Sequence, residues 1–387
     1  MSINRVVVAM SGGVDSSVAA ALLKEAGYET IGVTMQLWPD DRPPSERPGG
    51  CCGIDAIERA RRTCANLGIP HYVLDFREAF EKTVIADFCG EYRHGRTPNP
   101  CIRCNQFLKF DKLLKKAWEL DADYLATGHY AKIKESPEGY RLLKAVDRSK
   151  DQSYFLYTLG QAELGHLKFP LGNWHKTEVR AKAVELGLAT ASAPESQDIC
   201  FIEDGDYRTF LGKYSETSDP GEIADTNGNV LGQHKGLAAY TVGQRHGLGL
   251  GTGQPLYVIR LDIETNRLVV GTADKSLSRY LLASHLCWIS GKPPEDQSGI
   301  TAKIRYRASE AKSELKLDED RVLVAFKEPQ KAIAPGQAVV LYRGEEVLGG
   351  GIIESAGDGE KEVPEASALP SKHNGRGPAS KTTAQPE

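Results

Sequence analysis

The sequence predicts an α/β protein: a parallel sheet with helices on both faces, then a small central domain, then a C-terminal antiparallel β-barrel. Three observations predict it. Short apolar β-branched runs alternate with helical patterns along the first half of the chain. A Ser-Gly-Gly string joins the first such run to the first helical pattern. After about residue 205 the helical patterns give way to glycine-rich turns and alternating strands.

Arg5–Met10 (Arg-Val-Val-Val-Ala-Met) has the composition of a buried parallel strand. Ser11–Ser17 follows, and Val18–Ala26 reads as a helix with hydroxyl or carboxylate caps at its start and Gly27 at its end. Thr30–Met35 is a strand, Ile54–Leu67 a helix stopped by Gly68, and His71–Leu74 a strand. Phe107–Leu120 is a helix and Tyr124–Thr127 the strand after it, which completes a series of βαβ units. Pro39–Gly53 is polar, Pro/Gly-rich and long for a βα connection, which marks a mobile or functional loop. Gly90–Pro100 is punctuated by glycine and proline and leads into a cysteine pair. Further on, Tyr240–Gly253 is dense in glycine, and Leu256–Ile263 and Arg267–Val270 flank Glu264-Thr265-Asn266 as a hairpin. Ile300–Tyr306, Arg321–Phe326 and Ala338–Tyr342 read as barrel strands, and Ser355–Glu387 as a disordered tail. The expected domains are residues 1–205, 206–275 and 276–354, with a tail at 355–387.

The chain has 387 residues, 40% hydrophobic and 26% charged, which excludes a wholly disordered protein. No apolar run reaches the length of a membrane span, and the N-terminus has no signal-peptide layout, so the expected location is cytoplasmic. The net charge of -4 excludes a general polyanion binder and leaves room for a local basic patch. Eight cysteines fall at 51, 52, 64, 89, 101, 104, 200 and 287. In a reducing compartment such cysteines serve catalysis, redox chemistry or metals rather than stable disulfides.

Ser11-Gly12-Gly13-Val14-Asp15-Ser16 sits at a strand–helix junction. Glycines there allow close backbone approach, and the helix N-terminus attracts anions. Ser11, Ser16 and Ser17 add hydroxyl donors. The string lacks the Gly-Lys-Ser/Thr ending that neutralises a γ-phosphate, which points to chemistry at an α-phosphate with pyrophosphate leaving. Two more strings carry cysteines: Arg96–Asn105, with Cys101 and Cys104, and Pro194–Ile202, with Cys200. Cys104 is expected at the start of a helix beginning near Asn105, beside Arg103, where a thiolate is favoured. Together the strings fit sulfur transfer: one cysteine carries a persulfide and a second releases its sulfur by thiol–disulfide exchange.

The Ser-Gly-Gly-x-Asp-Ser string resembles the PP-loop of ATP pyrophosphatases. Joined with Thr97–Asn105, Asp151–Leu156, Glu195–Phe201, His234–Gly236, Thr241–Arg245 and Gly349–Ile353, it resembles the tRNA-specific 2-thiouridylases over about residues 4–354. The resemblance implies ATP-dependent 2-thiolation of the wobble uridine of tRNA, with Mg²⁺, tRNA and a persulfide sulfur-donor protein, and no DNA or membrane partner. It implies that Ala9, Met10, Ser11, Gly12, Gly13, Val14, Asp15, Ser16, Met35 and Gly128 contact ATP. Cys104 matches the nucleophile and Cys200 the persulfide carrier, while Asn99, Pro100 and Cys101 fall where the target base is contacted. His129, Lys150, Asp151, Gln152, Arg305, Tyr306 and Gln337 match tRNA-facing positions.

Cys101 stands where many members carry an aspartate proposed as general acid/base. An alternative route is therefore an iron–sulfur cluster on Cys101, Cys104 and Cys200 with one iron open to sulfide; zinc is a third. Arg141, Lys144, Arg148 and Lys150, the alternating Lys303, Arg305 and Arg307, and His234-Lys235 with Gln244-Arg245-His246 are candidates to hold RNA phosphates. Tyr154, Phe155 and Tyr157 are either stacking groups or core, and core is the reading for Phe155. Two other functions remain in view: a PP-loop amidating ligase, in which the cysteines would be idle, and a non-enzymatic RNA-binding module.

Overall fold

The computed structural model describes residues 4–38, 54–192, 199–202, 206–214, 219–251 and 253–359. Pro39–Gly53 with Cys51 and Cys52, most of Pro194–Ile202 ahead of Ile199, and residues 360–387 of the expected tail lie outside the described residues. The first region holds strands β1 (Arg5–Ala9), β2 (Glu29–Gln36), β3 (His71–Asp75) and β4 (Tyr124–Ala126), a hairpin of β5 (Ala131–Ser136) and β6 (Gly139–Lys144), and β7 (Leu167–Lys168). Five of them form a parallel sheet in the order β3-β2-β1-β4-β7.

Val6, Val7 and Val8 of β1 are fully buried because both faces of the sheet are covered. Their side chains alternate between faces. Val6 and Val8 pack with Ala20, Leu23, Ala60 and Cys64 from helices Val14–Glu25 and Ile54–Leu67. Val7 belongs to a larger core with Phe80, Phe88, Ile102, Leu108 and Leu113 from helical residues 77–93 and 100–119. Helices therefore lie on both faces, as the sequence predicts.

The central region pairs β8 (Gly221–Asp225), β9 (Val230–His234), β10 (Tyr257–Asp262) and β11 (Arg267–Gly271) in the order β10-β11-β8-β9 around Ile223, Val258, Leu268 and Val270. The expected hairpin is β10–β11, turning at Asn266 with φ +47°. The C-terminal strands are β12 (Leu277–Trp288), β13 (Ile300–Lys303), β14 (Ala311–Asp318), β15 (Arg321–Lys331), β16 (Ala338–Arg343) and β17 (Glu346–Gly357). They run β12-β15-β14-β13-β16-β17 and close through β12–β17 into an antiparallel barrel. The β5–β6 hairpin leaves the parallel sheet and joins this barrel, with Glu346 opposite Leu143 and Val347 opposite Leu142.

Several expected elements differ in detail. The segment Ile300–Tyr306 is strand only to Lys303; Arg305, Tyr306 and Arg307 lie in a turn, so they do not alternate along one strand face. Ile304 is buried there and Ala308 N closes onto Arg305 O, which bends the chain. Ser355–Gly357 is not tail: these residues end β17 and pair with Tyr280–Leu282. Among the described residues no helix is long and apolar enough to cross a membrane.

Candidate active site

The turn after β1 is built by backbone constraint. Gly12 has φ +70°, and a Cβ there would sit 2.2 Å from the Ala56 carbonyl oxygen, so only glycine fits. Gly128 approaches from the other side; a Cβ on it would lie 2.8 Å from Ser16 N. Helix Val14–Glu25 is capped by Gly13 with no side-chain hydrogen bond, against the hydroxyl or carboxylate cap expected. Ser16 Oγ and Ser17 Oγ instead donate back to the Gly13 carbonyl at 3.1 and 2.9 Å. Both are buried, so of the three hydroxyls only Ser11 is partly exposed. The N-terminal amides are thus not claimed by a side-chain cap, the condition for an anion site. Met10 and Val14 are buried and present backbone alone, while Ala9 and Met35 are half-buried against the large core.

Three side chains from elsewhere reach this turn, and the sequence reading missed them all. Lys176 Nζ lies 2.7 Å from both Asp15 carboxylate oxygens. Tyr130 donates its hydroxyl to Asp15 Oδ1 at 2.8 Å, and Arg59 Nε donates to Gly12 O at 3.0 Å.

The cysteine helix starts earlier than expected. Asn99 is its N-cap, its side chain accepting from Ile102 N, and Pro100 occupies the first turn. Cys101 is thus in the first turn and exposed, and Cys104 is one turn further in and half-buried. At Cys104 the winding changes to a π-helix over Cys104–Leu113, a form rare enough to mark functional segments. Fully buried Ile102 fixes the face between the two cysteines. Arg103 Nε is 3.3 Å from Asp87 Oδ2, and NH1 is 3.3 Å from Gln106 Oε1.

Cys200 is half-buried in a turn. The next residue, Phe201, anchors it: its ring lies 5.2 Å from Phe88, 5.6 Å from Phe80 and 5.0 Å from Phe210. Cys104, Cys200, Ala9 and Met35 all pack against the same hydrophobic core. Cys64 and Cys89 differ. They are buried, and burial pushes the Cys64 thiol up to about 11 and raises that of Cys89. That is the behaviour of packing residues.

The segment ahead of the cysteine helix is held by the barrel. Thr97 N donates to Pro335 O at 2.7 Å, and Gln337 Nε2 donates to Thr97 O at 3.0 Å and Pro98 O at 3.1 Å. Arg96 binds Glu91 at 2.8 Å and Glu354 at 3.0 Å, with Ser284 donating to Glu354 at 2.6 Å. Burial works against the Glu354 carboxylate, but the Ser284 hydroxyl and the Arg96 guanidinium outweigh it and hold its pKa below the ordinary value. A small cavity lies at this joint, lined by Asp87, Pro98, Asn99, Arg103 and Gly336 among others.

The expected RNA-facing residues are scattered in character. His129 is buried between Phe110 and Phe169, its Nδ1 2.6 Å from Thr127 Oγ1; burial and then Lys109 hold its pKa well below the ordinary range. Asp151 is buried and accepts from Ala145 N at 2.9 Å and Ser153 Oγ at 2.8 Å. Gln152 Oε1 accepts from Tyr130 N at 3.0 Å, and Lys150 is half-buried. Lys144 is buried against Glu310 and Gly344 O, Arg141 meets Glu346 at 3.8 Å, and Arg148 pairs with Glu345. This basic cluster is largely neutralised within the fold. His234 is buried as well, with Gly236 N donating to its Nδ1, whereas Lys235, Arg245 and His246 are exposed. Tyr154 and Tyr157 are core, but Phe155 is half-buried, its ring 4.4 Å from that of Tyr306. Arg305 NH1 donates to Lys331 O at 3.3 Å.

Among the described residues no three Cys, His, Asp or Glu side chains converge to hold a metal ion. Cys101, Cys104 and Cys200 are accordingly not gathered around one point in this structure.

Family models cover most of the chain. A tRNA methyl transferase HUP domain matches residues 4–204, a tRNA methyl transferase PRC-barrel domain residues 208–272, and an aminomethyltransferase beta-barrel domain residues 278–353. The chain is 50% identical over 359 residues to the tRNA-specific 2-thiouridylase MnmA of Acetivibrio thermocellus, covering 92% of this chain and 100% of that one. It is 52% identical over 357 residues to the tRNA-specific 2-thiouridylase MnmA 2 of Caldanaerobacter subterraneus subsp. tengcongensis, covering 91% and 98%. With the tRNA-specific 2-thiouridylase MnmA of Heliobacterium modesticaldum it shares 53% identity over 354 residues, covering 90% and 92%.

Proposed function

The chain belongs to the tRNA-specific 2-thiouridylase family, and we propose that it replaces the 2-oxygen of the tRNA wobble uridine with sulfur at the expense of ATP. In this reading Ser11–Ser16, Ala9, Met35 and Gly128 cradle ATP. The uridine 2-oxygen attacks the α-phosphorus and pyrophosphate leaves, drawn by the amides at the start of helix Val14–Glu25. The terminal sulfur of a persulfide on Cys200, loaded by a donor protein, then attacks C2 of the adenylated base. Cys104 attacks the Cys200 sulfur, the S–S bond breaks, and AMP departs. A Cys104–Cys200 disulfide remains for an external reductant to reopen.

Asn99, Pro100 and Cys101 would border the extruded base, since single bases are read unstacked. Phe155 and Tyr306 offer a half-buried aromatic pair beside them: Asn105 Nδ2 donates to Phe155 O at 3.3 Å. The observation that supports the reading is that Ala9, Met35, Cys104 and Cys200 all pack against one extended hydrophobic core. Among the described residues no set of carboxylates is gathered for Mg²⁺, and Asp15 is engaged by Lys176 and Tyr130. The metal would arrive on the triphosphate.

The reading is tested with ATP labelled at the α- and γ-phosphates, a wobble-uridine tRNA and the purified protein. It predicts tRNA-dependent formation of AMP and pyrophosphate. Formation of ADP and phosphate instead would overturn it.

A further inference from the structure

The barrel holds the whole backbone of Thr97 and Pro98, the residues just ahead of the cap of the cysteine helix. Thr97 N donates to Pro335 O, and Gln337 Nε2 donates to Thr97 O and to Pro98 O. Pro98 has no N–H, so every backbone polar group of Thr97 and Pro98 is bonded to one barrel turn, the one joining β15 to β16. Buried Ile333 and Ala334 root that turn in the barrel, and Gly336 N donates to Ile353 O at 2.9 Å.

Between the two bonding residues lies Gly336, with φ +89°. A Cβ there would sit 2.8 Å from Thr97 N, 3.0 Å from Thr97 O and 3.0 Å from Arg96 Cβ. The first two are backbone atoms, and Arg96 is pinned by Glu91 and Glu354, so none of the three is free to swing aside. Only a residue without a side chain lets the turn lie flat on the Thr97 peptide. Asn99 comes two residues later. It caps the helix through Ile102 N, which puts Cys101 in the first turn and Cys104 one turn further in.

We propose that Gly336 is a positioning residue for the thiol chemistry: its bare backbone sets how closely the barrel meets Thr97, and so where Asn99 starts the cysteine helix. It acts through Asn99 rather than on the substrate. A misplacement of about 1 Å in reacting groups costs about a hundredfold in rate, so a contact this close has leverage on catalysis.

The test compares Gly336→Ala with Gly291→Ala in the full chain. Gly291 lies between β12 and β13 with φ +83°, and a Cβ on it would meet nothing within 4 Å. Both substitutions force the same backbone strain on the barrel, and only one touches the cysteine segment. Gly336→Ala is expected to lower the first-turnover rate of thiolation at saturating tRNA by about tenfold or more. ATP affinity is expected to stay within about threefold of wild type. The rate of Cys104 alkylation, read by mass spectrometry, is expected to change by about threefold or more, because its thiolate character and half-buried setting both follow the helix start. Gly291→Ala is expected to match wild type in all three. Should Gly336→Ala fail to fold, Gln337→Leu removes the same grip without backbone strain and is expected to show the same change in Cys104 alkylation. Equal losses in the two glycine variants, or wild-type alkylation of Cys104 in both Gly336→Ala and Gln337→Leu, would overturn the proposal. The rate prediction rests on the thiolation reading, whereas the alkylation does not. A wild-type chain that fails to thiolate therefore counts against that reading alone, and Cys104 alkylation still decides the positioning role.

Discussion

The glycine turn and the cysteine segment are held in opposite ways. The turn takes its shape from its own residues, Ser16 and Ser17 closing onto Gly13, with Arg59, Tyr130 and Lys176 reaching it from outside. The cysteine segment is held from outside, by barrel residues 240 and 258 positions away, through Gln337 to Thr97 and Glu354 to Arg96. A site built locally depends on backbone shape. A site built by remote tethers depends on the domain that supplies them, here the barrel.

The largest break of this contrast is Gly12→Ala. The left-handed φ and the clash with the Ala56 carbonyl together are expected to cost about 3 kcal/mol, lowering ATP affinity by about a hundredfold. Nucleotide binding by calorimetry checks it, and unchanged affinity would show the turn to be more plastic than its contacts imply. Arg96→Met breaks the other half. It leaves Glu91 and the nearly buried Glu354 without their cation, and loss of one partner of a buried pair costs about 3–5 kcal/mol. A fall in Tm and in thiolation is expected, with ATP affinity within about threefold of wild type. Arg96→Met/Glu354→Gln should recover part of the Tm.

A smaller effect sharpens the same comparison. The Glu354 pKa is lowered in the folded state, so its contribution to stability is present above its ordinary value of 4.5 and is lost as pH falls through the folded value. Thermal unfolding between pH 6 and pH 3 is expected to show a steeper acid loss for wild type than for Glu354→Gln. Parallel curves would remove Glu354 from the tether.

The same division governs what the sequence could show. The turn was legible because strand, glycines and helix are contiguous, and the parallel sheet followed from runs such as Val6–Val8. The barrel was legible as alternation, but not the addition of β5–β6 to it, since no local pattern encodes pairing of Leu142 with Val347. Asn99-Pro100 is an N-cap followed by a first-turn proline, a readable helix start that the flanking prolines disguised. Lys176, Tyr130, Arg59 and Glu354 gave no signal, because each acts through tertiary contact with a residue far away in the chain. Lys144 and His234 looked like surface groups and are buried, for burial of a charged or polar residue depends on partners such as Glu310 that only folding supplies.

The central claim is that base activation at the turn and sulfur delivery by Cys104 and Cys200 are separate steps in one site. Its most direct measurement follows pyrophosphate release and tRNA thiolation in parallel for Cys104→Ser and Cys200→Ser, with a persulfide donor and reductant present. The account predicts that both variants release pyrophosphate in a tRNA-dependent first turnover and form no 2-thiouridine. Full thiolation by either variant, or loss of pyrophosphate release in both, would contradict it.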